Sequence, residues 1–497
     1  MPVLVRADRR TERLIVMALV VFVIIIRSVI FVFWEQAHFD SDQAVIGLMA
    51  KHLSEGRALP LFLYGQNYIF AVEAFMAAPV FLVAGASVAA LKLPLLAINV
   101  LVGVLLIWLL ERETGLAPRF AALAAVFFIL PPPGTATALL EASGVNLEPF
   151  LYALLMWLTR RRPAWCGAIF AIGFLQREFV VYALLGLLVI GTLSGTLFSR
   201  EGLRRLLVAL TAAAAVWLLV AALKPYSSPA GPGTSMADIH APSNNVRELM
   251  TRLCIAPGAT GEGIRTLATV HWMRLFGLRV EPLYQFSIDS SVIQGLRGAW
   301  IVLAAAMLLA SVRVIMSLVA DRRVRREYYF CAYITLVGLF SAVAFVVARC
   351  GAVGPLRYAL LSLLAAVGLA AWYLRVESNT HLRRAWMAAI IAWTVVAALP
   401  HARMWAEYLT HPPTGAKRVL IERLKARGVR YGVSDYWTAY YVSFLTNEQI
   451  IMKSADFPRI YEYDRQVEAH LNEAVRVSRT PCPGGETVLP GLYLCRP

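Results

Sequence analysis

Apolar segments recur along residues 1–400 of this chain, many of them near the length of about 20 residues that a helix needs to cross a bilayer. The 497-residue sequence is 59% hydrophobic and 16% charged, whereas soluble domains are about 45–50% apolar and about 25% charged. Such a composition cannot cover a soluble surface, so we predict an all-α polytopic membrane protein with about 11 spans. The predicted spans lie near residues 14–34, 92–110, 120–132, 147–159, 164–176, 178–197, 204–223, 298–318, 328–348, 355–374 and 384–400.

The net charge of +16 indicates membrane topology rather than a nucleic-acid partner. Basic residues concentrate in the short connections between apolar segments, as the positive-inside rule requires, and no basic stripe interleaved with aromatics lies outside them. The clusters share one side only if the apolar stretch 68–85 does not cross the membrane, so we predict a re-entrant or surface-lying helix there. The clusters are Arg6/Arg9/Arg10/Arg13, Arg112/Arg119, Arg160/Arg161/Arg162, Arg200/Arg204/Arg205, Arg322/Arg323/Arg325/Arg326 and Arg375/Arg383/Arg384.

This topology predicts two domains. Residues 1–400 form the membrane domain, with external loops at 35–91 and 224–295, and residues 401–497 form a small extracytoplasmic α/β domain. The N-terminus is cytoplasmic and the C-terminus extracytoplasmic in a bacterial inner or plasma membrane. The first apolar segment is a retained helix, because no small-residue cleavage site follows it.

The polar tail carries the signals of a mixed α/β unit. An amphipathic helix from Lys417 to Arg427 is ended by Gly428. Residues 430–434 and 449–453 then have strand character. The tail is therefore expected to fold and to pack against the membrane domain.

The six cysteines are scattered, and no two have zinc-ligand or redox spacing. Cys482 and Cys495 lie in the same external tail, where an oxidising compartment permits a disulfide. The sequence leaves open whether these two are bridged.

Two carboxylates, Asp40 and Asp42, follow the first apolar segment. The helix expected after them has one apolar stripe, lies along the membrane surface and ends at Gly56. Paired carboxylates at the mouth of a bundle can deprotonate an acceptor hydroxyl, or hold a divalent cation against a phosphate. The structural alternative is capping, since Asp40 is a good N-cap with Gln43 three residues on, and Asp42 complements the helix dipole. The stripe consists of Val45, Leu48, Met49, His52 and Leu53.

A second polar group stands at the entry to the apolar stretch that ends the first loop. It contains Gln66, Tyr68 and Glu73, which we take as candidate substrate-binding residues. A carboxylate at lipid depth is costly and is a functional hypothesis by default, although Glu73 could instead form a structural hydrogen bond between helices. Two further acids, Glu141 and Glu148, follow the third predicted span.

Arginines interrupt apolar runs at the predicted outer face. They are Arg177, next to Glu178, and Arg357, next to Tyr358. An external guanidinium suits a phosphate because it binds phosphate oxygens bidentately. The alternatives are a local ion pair between Arg177 and Glu178, and snorkelling of Arg357 to the interface.

The first loop resembles the corresponding loop of GT-C membrane glycosyltransferases, in particular bacterial relatives of the protein O-mannosyltransferase and aminoarabinose-transferase group. Arg357-Tyr358 resembles that group's late Arg-Tyr motif, and the tail is similar to the end domain of some bacterial members. The loop residues that carry the resemblance are Phe39-Asp40-Ser41-Asp42-Gln43-Ala44-Val45-Ile46-Gly47-Leu48-Met49-Ala50, Tyr64-Gly65-Gln66-Asn67-Tyr68 and Glu73-Ala74. Those of the tail are Gly428-Val429-Arg430-Tyr431-Gly432 and Tyr436-Trp437-Thr438-Ala439-Tyr440.

The resemblance implies a GT-C-like helix bundle that transfers a sugar, with inversion, from a polyprenyl-phosphate-linked donor to a lipid, glycan or protein acceptor outside the membrane. It implies Asp42 as the catalytic base, with Asp40 as a second candidate. The family's usual Asp-Glu pair is Asp42-Gln43 here. The departure leaves metal dependence open, with Asp40 and Asp42 as the candidate ligands of a divalent cation.

Two other functions fit a polytopic envelope protein. A lipid or glycan transporter would have inverted repeats and broken helices with charges at the midplane, and neither is evident in the sequence. A ligase or polymerase of surface polysaccharide would share the compartment and the substrate class but depend on a large late external loop.

Overall fold

A computed structural model describes residues 2–34, 39–66, 68–144, 146–239, 257–277, 299–321, 324–347, 356–412 and 415–495. Residues 240–256 and 278–298 of the predicted external loop lie outside these ranges, as do Arg322 and Arg323 of one predicted basic cluster. The first helices are α1 (Pro2–Phe33), α2 (Ser41–Ser54), α3 (Val72–Ala84), α4 (Val88–Thr114), α5 (Pro118–Ile129), α6 (Pro133–Ala138), α7 (Glu148–Thr159), α8 (Pro163–Gln176), α9 (Val180–Leu193) and α10 (Arg200–Leu223). They are followed by α11 (Thr260–Thr266), α12 (Trp272–Leu275), α13 (Ala299–Asp321), α14 (Tyr329–Val347), α15 (Arg357–Leu360), α16 (Leu363–Val376) and α17 (Thr380–Thr410).

Every predicted span coincides with a helix. Seven helical stretches in the described part of the chain are long and apolar enough to cross a membrane. Four shorter apolar helices are Val72–Ala84, Pro118–Ile129, Pro163–Gln176 and Val180–Leu193. The chain is therefore a mainly helical membrane protein, and crossing by the shorter helices stays a prediction.

Helices α1 and α4 lie side by side in opposite directions. Near the start of α1, Arg13 forms a bidentate bond with Glu111 near the end of α4, with Nη2–Oε1 and Nε–Oε2 distances of 2.6 and 2.8 Å. At the other end, the Lys92 Nζ near the start of α4 donates to the Phe31 carbonyl near the end of α1 (3.1 Å). The segment between these helices, including α3, therefore starts and finishes at the same end of the bundle. This arrangement agrees with the prediction that 68–85 does not cross.

The first three predicted cytoplasmic clusters gather at the opposite end, which we term the basic end. Arg119 at the start of α5 lies 3.7 Å from Glu12, measured from Nη1 to Oε1. Arg160 Nη2 at the end of α7 donates to Glu113 Oε2 (2.8 Å). The basic clusters of the sequence and the ion pairs between helices therefore assign the same helix ends to one side of the bundle.

Small residues allow close helix packing in the bundle. A Cβ placed on Gly167 of α8 would overlap the Ala209 carbonyl of α10, and one on Gly338 of α14 would overlap the Ala365 backbone of α16. Such close approach of backbones gives van der Waals contact where lipid supplies no hydrophobic driving force.

The C-terminal α/β unit follows the long helix α17. That helix runs to Thr410, so the predicted domain boundary after residue 400 falls inside it. The five-stranded sheet has the order β2-β1-β3-β5-β4, and β1 pairs in parallel with β2 and β3 while β5 is antiparallel to β3 and β4. A disulfide joins Cys482 and Cys495. The elements of this unit are α18 (Ala416–Ala426), β1 (Tyr431–Ser434), α19 (Tyr436–Leu445), β2 (Ile451–Ser454), α20 (Tyr461–Ala469), β3 (Val475–Ser478), β4 (Glu486–Leu489) and β5 (Leu492–Cys495).

The first-loop helix α2 is enclosed, which corrects the expectation of a helix with one apolar stripe lying on the membrane surface. Nearly every residue from Ser41 to His52 is buried, including the polar Gln43. The helix packs against α3, α4 and the C-terminal α19. Gly47 permits this, since a Cβ there would overlap the Phe444 ring of α19. The C-terminal unit therefore covers the side of α2 that the sequence pattern leaves polar.

Candidate active site

Asp40 is the N-cap of α2, as the capping alternative predicts. Its Oδ1 accepts a hydrogen bond from the Gln43 backbone N–H (3.1 Å). Burial raises the pKa of Asp40, and the adjacent charge of Asp42 raises it further. Because its side chain caps the helix, Asp40 has a structural role whether or not it contacts substrate.

Asp42 lies two residues further on, in the first turn of α2, and its two oxygens face different groups. Oδ1 accepts a hydrogen bond from the Tyr436 hydroxyl (2.5 Å). Oδ2 lies 3.9 Å from Arg357 Nη2. About one-third of each side chain of the Asp42–Arg357 pair is exposed (31% and 30%). The carboxylate is thus fixed on one side and open to a ligand on the other.

The two predicted outer arginines belong to one array. Arg177 Nη2 donates to the Tyr358 hydroxyl (3.1 Å), and Tyr358 follows Arg357 directly in α15. The predicted ion pair with Glu178 is also present, with Arg177 Nε 3.6 Å from Glu178 Oε2. Arg177 is only 7% exposed, and its Nη1 has no hydrogen-bond partner among the described residues. A buried guanidinium with a free donor is a candidate anion site.

The first-loop candidates divide into two groups. The Gln66 side-chain oxygen accepts from Arg459 Nη2 (2.8 Å) of the C-terminal unit, so Gln66 faces the domain junction. Tyr68 is partly buried in the same loop. Glu73 Oε2 accepts from the Gly144 backbone N–H (2.7 Å). Within the described ranges no contact joins Glu73 to the Asp42–Arg357 pair, which favours the structural alternative for Glu73.

Glu73 has a buried acidic neighbour that explains its position. Glu148 at the start of α7 is 1% exposed and Glu73 is 3% exposed, and the two carboxyl groups lie close enough to interact electrostatically. Nearby, the Tyr152 hydroxyl donates to the Gln176 side-chain oxygen. These groups join α3, α7 and α8 beneath the site.

Charged residues that the sequence did not connect with the first loop surround Asp40. Both Lys92 of α4 and Lys417 of α18 oppose its charge, and Lys417 Nζ donates to the Phe39 carbonyl. Glu141 accepts from Asn146 Nδ2 (3.1 Å). Burial, followed by the charge of Asp40, raises the pKa of Glu141 to about 7. Only long-range folding brings these groups together, so a local sequence pattern cannot reveal them.

The donor set does not fit a divalent-cation site. In the described part of the chain, no group of three His, Cys, Asp or Glu side chains could hold a metal ion. Asp42 already faces Tyr436 and Arg357, and lysines lie beside Asp40. Cationic side chains occupy the place where a metal would supply positive charge, so we assign no step to a metal.

The fold is similar to that of a solved membrane enzyme. The oligosaccharyltransferase of Archaeoglobus fulgidus, in its apo form, aligns over 94% of this chain and 69% of its own with a TM-score of 0.51 and 12% identity. This chain has the GT-C fold. ArnT from Cupriavidus metallidurans also matches over 96% of this chain and 97% of its own, in the apo state (TM-score 0.39, 14% identity) and bound to undecaprenyl phosphate (TM-score 0.38, 12% identity).

No protein-family model and no curated protein matches the sequence. At 12% identity the likeness to the oligosaccharyltransferase shows the GT-C fold alone. In a GT-C fold, function has to be argued from the residues of the site.

Proposed function

We propose that this GT-C protein is an inverting glycosyltransferase that moves a sugar from a polyprenyl-phosphate-linked donor to an acceptor on the extracytoplasmic face. The observation that carries the proposal is the open pair of Asp42 and Arg357, separated by 3.9 Å. A carboxylate, which can accept a proton, and a guanidinium, which can bind phosphate, lie next to each other there. The pair lies at the end of the bundle opposite the basic end, which is the predicted external side.

Asp42 is the general base in this proposal. Its Oδ2 takes the proton of the acceptor hydroxyl as the acceptor oxygen attacks the anomeric carbon of the donor. The bond between that carbon and the phosphate oxygen breaks, and the electron pair leaves with the polyprenyl phosphate. Attack on the face opposite the leaving group inverts the anomeric configuration. Phosphate is a good leaving group, so a base and a cationic site suffice without a separate acid.

Arg357 and Arg177 hold the phosphate. Tyr358 links them. Its hydroxyl accepts a hydrogen bond from Arg177 Nη2 (3.1 Å), and the residue directly follows Arg357 in the chain. Negative charge grows on the phosphate as the glycosidic bond breaks, so preorganised guanidinium groups stabilise the transition state more than the ground state. Being largely desolvated, Arg177 is the stronger of the two.

The test uses purified protein in proteoliposomes with undecaprenyl-phosphate-linked radiolabelled hexoses and pentoses. Envelope glycolipid, glycan and protein fractions serve as separate acceptors. We expect transfer of label and release of undecaprenyl phosphate in at least one arm, with loss of about 10²- to 10⁴-fold in Asp42→Asn. Asp321→Asn is the matched control, because Asp321 pairs with Arg325 at the far end of the fold. Movement of intact donor without cleavage, or normal transfer by Asp42→Asn, would contradict the proposal.

A further inference from the structure

The C-terminal unit contacts the first-loop helix at three points along its length. Tyr436 at the start of α19 bonds Asp42 at the start of α2. Near the end of α19, the Phe444 ring fills the space beside Gly47. Just past the end of α19, Glu448 bonds His52 near the end of α2 (2.9 Å). These contacts join α19 and the residue after its end to the start, middle and end of α2.

Glu448 forms several bonds where the C-terminal unit contacts the end of α2. Its carboxylate accepts from Lys51 Nζ (2.5 Å), Arg57 Nη1 (2.8 Å) and the Tyr463 hydroxyl (2.9 Å), in addition to His52. Burial would raise the pKa of Glu448, but the bonds from its cationic partners outweigh burial and hold that pKa below its ordinary value. Glu448 has a φ of 64°, a left-handed conformation that a non-glycine residue adopts only when its surroundings hold it there.

Tyr436, at the start of α19, is held by several contacts of its own. Its backbone N–H donates to Asp456 Oδ1 (2.8 Å), and Asp435 caps the same helix through the Thr438 N–H (2.9 Å). Its ring packs edge-on against Phe457, with centroids 5.8 Å apart. Burial raises the pKa of Tyr436, and the charge of Asp42 raises it further. The hydroxyl keeps its proton and serves as a donor to the carboxylate.

We infer that the C-terminal α/β unit completes the active site, with Tyr436 as a positioning residue for the Asp42 carboxylate. The hydroxyl bonds Oδ1 and fixes the rotation of the carboxyl group, so that Oδ2 points toward Arg357 and the acceptor. The inference rests on the proposed function of Asp42 as base. It gives the C-terminal unit a role in the reaction itself, in addition to its packing on the membrane domain.

The position of Tyr436 predicts a distinct kinetic signature. The hydroxyl holds the orientation of the carboxylate that takes the proton, so removing the hydroxyl leaves that carboxylate less well placed for the step. Binding of the phosphate by the arginines does not involve this hydroxyl. We therefore expect kcat to change and KM for the donor to remain unchanged.

The experiment compares Tyr436→Phe with wild type in the full-length protein in proteoliposomes, using an undecaprenyl-phosphate-linked sugar. We expect kcat/KM to fall about 10- to 100-fold, as for loss of one hydrogen bond to a charged group. Tyr431→Phe is the control, because Tyr431 lies in the same unit and stacks on His470, with centroids 4.2 Å apart. Wild-type kcat in Tyr436→Phe, or a fall in kcat/KM that comes entirely from KM, would overturn the inference.

A second measurement separates this inference from the proposed function. Thermal unfolding in detergent of Tyr436→Phe, Asp42→Ala and the double variant forms a double-mutant cycle that needs no activity. Coupling between the two changes supports the bond, and strict additivity overturns the inference. If wild type transfers no sugar, the proposed function fails while the cycle still reports whether the hydroxyl holds the carboxylate.

Discussion

Arg177 donates a hydrogen bond to the hydroxyl of Tyr358 across 181 positions of the sequence (3.1 Å). The bond joins the end of α8 to the start of α15, so the buried Arg177 guanidinium contacts the residue next to Arg357. An arginine that only anchored the interface would extend toward water, whereas Arg177 is 7% exposed. The site therefore combines Arg357, which faces Asp42, with the more deeply buried Arg177, which is bonded to the adjacent Tyr358.

Arg177→Gln should reduce sugar transfer by about 10²-fold through kcat, because preorganised charge is lost where the phosphate departs. Glutamine keeps a donor toward Tyr358, so the fold should be retained. Steady-state kinetics with an undecaprenyl-phosphate-linked sugar measures the effect. Arg205→Gln, which alters an exposed pair with Glu201 at the basic end, is the control. Equal activity of the two variants would remove Arg177 from phosphate stabilisation.

Asp40→Asn should retain transfer to within about 10-fold of wild type, because asparagine caps a helix as well as aspartate does. Asp40→Ala should lower stability by about 1 kcal/mol through loss of the cap. Activity assays and thermal unfolding in detergent measure the two effects. If Asp40→Asn loses activity as completely as Asp42→Asn, the assignment of the base to Asp42 alone is wrong.

Glu448→Gln should destabilise the protein by about 1–3 kcal/mol at neutral pH, since it removes bonds to charged partners. The folded pKa of Glu448 is lowered, so its stabilisation is present above the unfolded pKa of about 4.3. It is lost as pH falls toward the lower folded value. The difference in unfolding temperature between variant and wild type should therefore be largest near pH 7 and shrink below about pH 4.

Glu468→Gln is the matched control for this pH dependence. Glu468 pairs with Lys453 on the surface and its side chain is 60% exposed, so the substitution should change stability little. If the unfolding temperature of Glu448→Gln stays below that of wild type by the same amount from pH 7 to pH 3.5, the ion pairs of Glu448 do not hold the C-terminal unit against α2.

Reporter fusions test the topology. Fusions after Arg162 and after Arg326 should report the cytoplasm, and one after Gly85 should report the exterior, because the segment that contains α3 starts and finishes at one end of the bundle. The bonds from Lys92 to Phe31 and from Arg13 to Glu111 fix this alignment of α1 and α4. An external signal after Arg162, or a cytoplasmic one after Gly85, would contradict it.

The sequence could predict the helices of the membrane domain because length and apolar content report burial in lipid directly. The basic clusters also constrain the number of crossings, and the opposite directions of α1 and α4 agree with that count. That α3 does not cross stays a prediction. The candidates Asp42, Arg177 and Arg357 were found by residue type and lie in one array. The assignment of their roles stays a prediction.

Contacts made by the C-terminal unit could not be predicted. The expected surface helix at Ser41–Ser54 is enclosed because α19 covers it, and a pattern within α2 carries no information about a partner almost 400 residues away. Tyr436 was noted only for its resemblance to a family tail. Its bond to Asp42 joins positions almost 400 residues apart, as do the contacts between Gly47 and Phe444 and between His52 and Glu448.

The most direct measurement is the single-turnover rate of sugar release from an undecaprenyl-phosphate donor, for wild type and Asp42→Asn, with donor binding measured in parallel. We expect the variant to bind donor normally and to release sugar at least about 10²-fold more slowly. Equal release rates at equal binding would show that the Asp42 carboxylate is not the base.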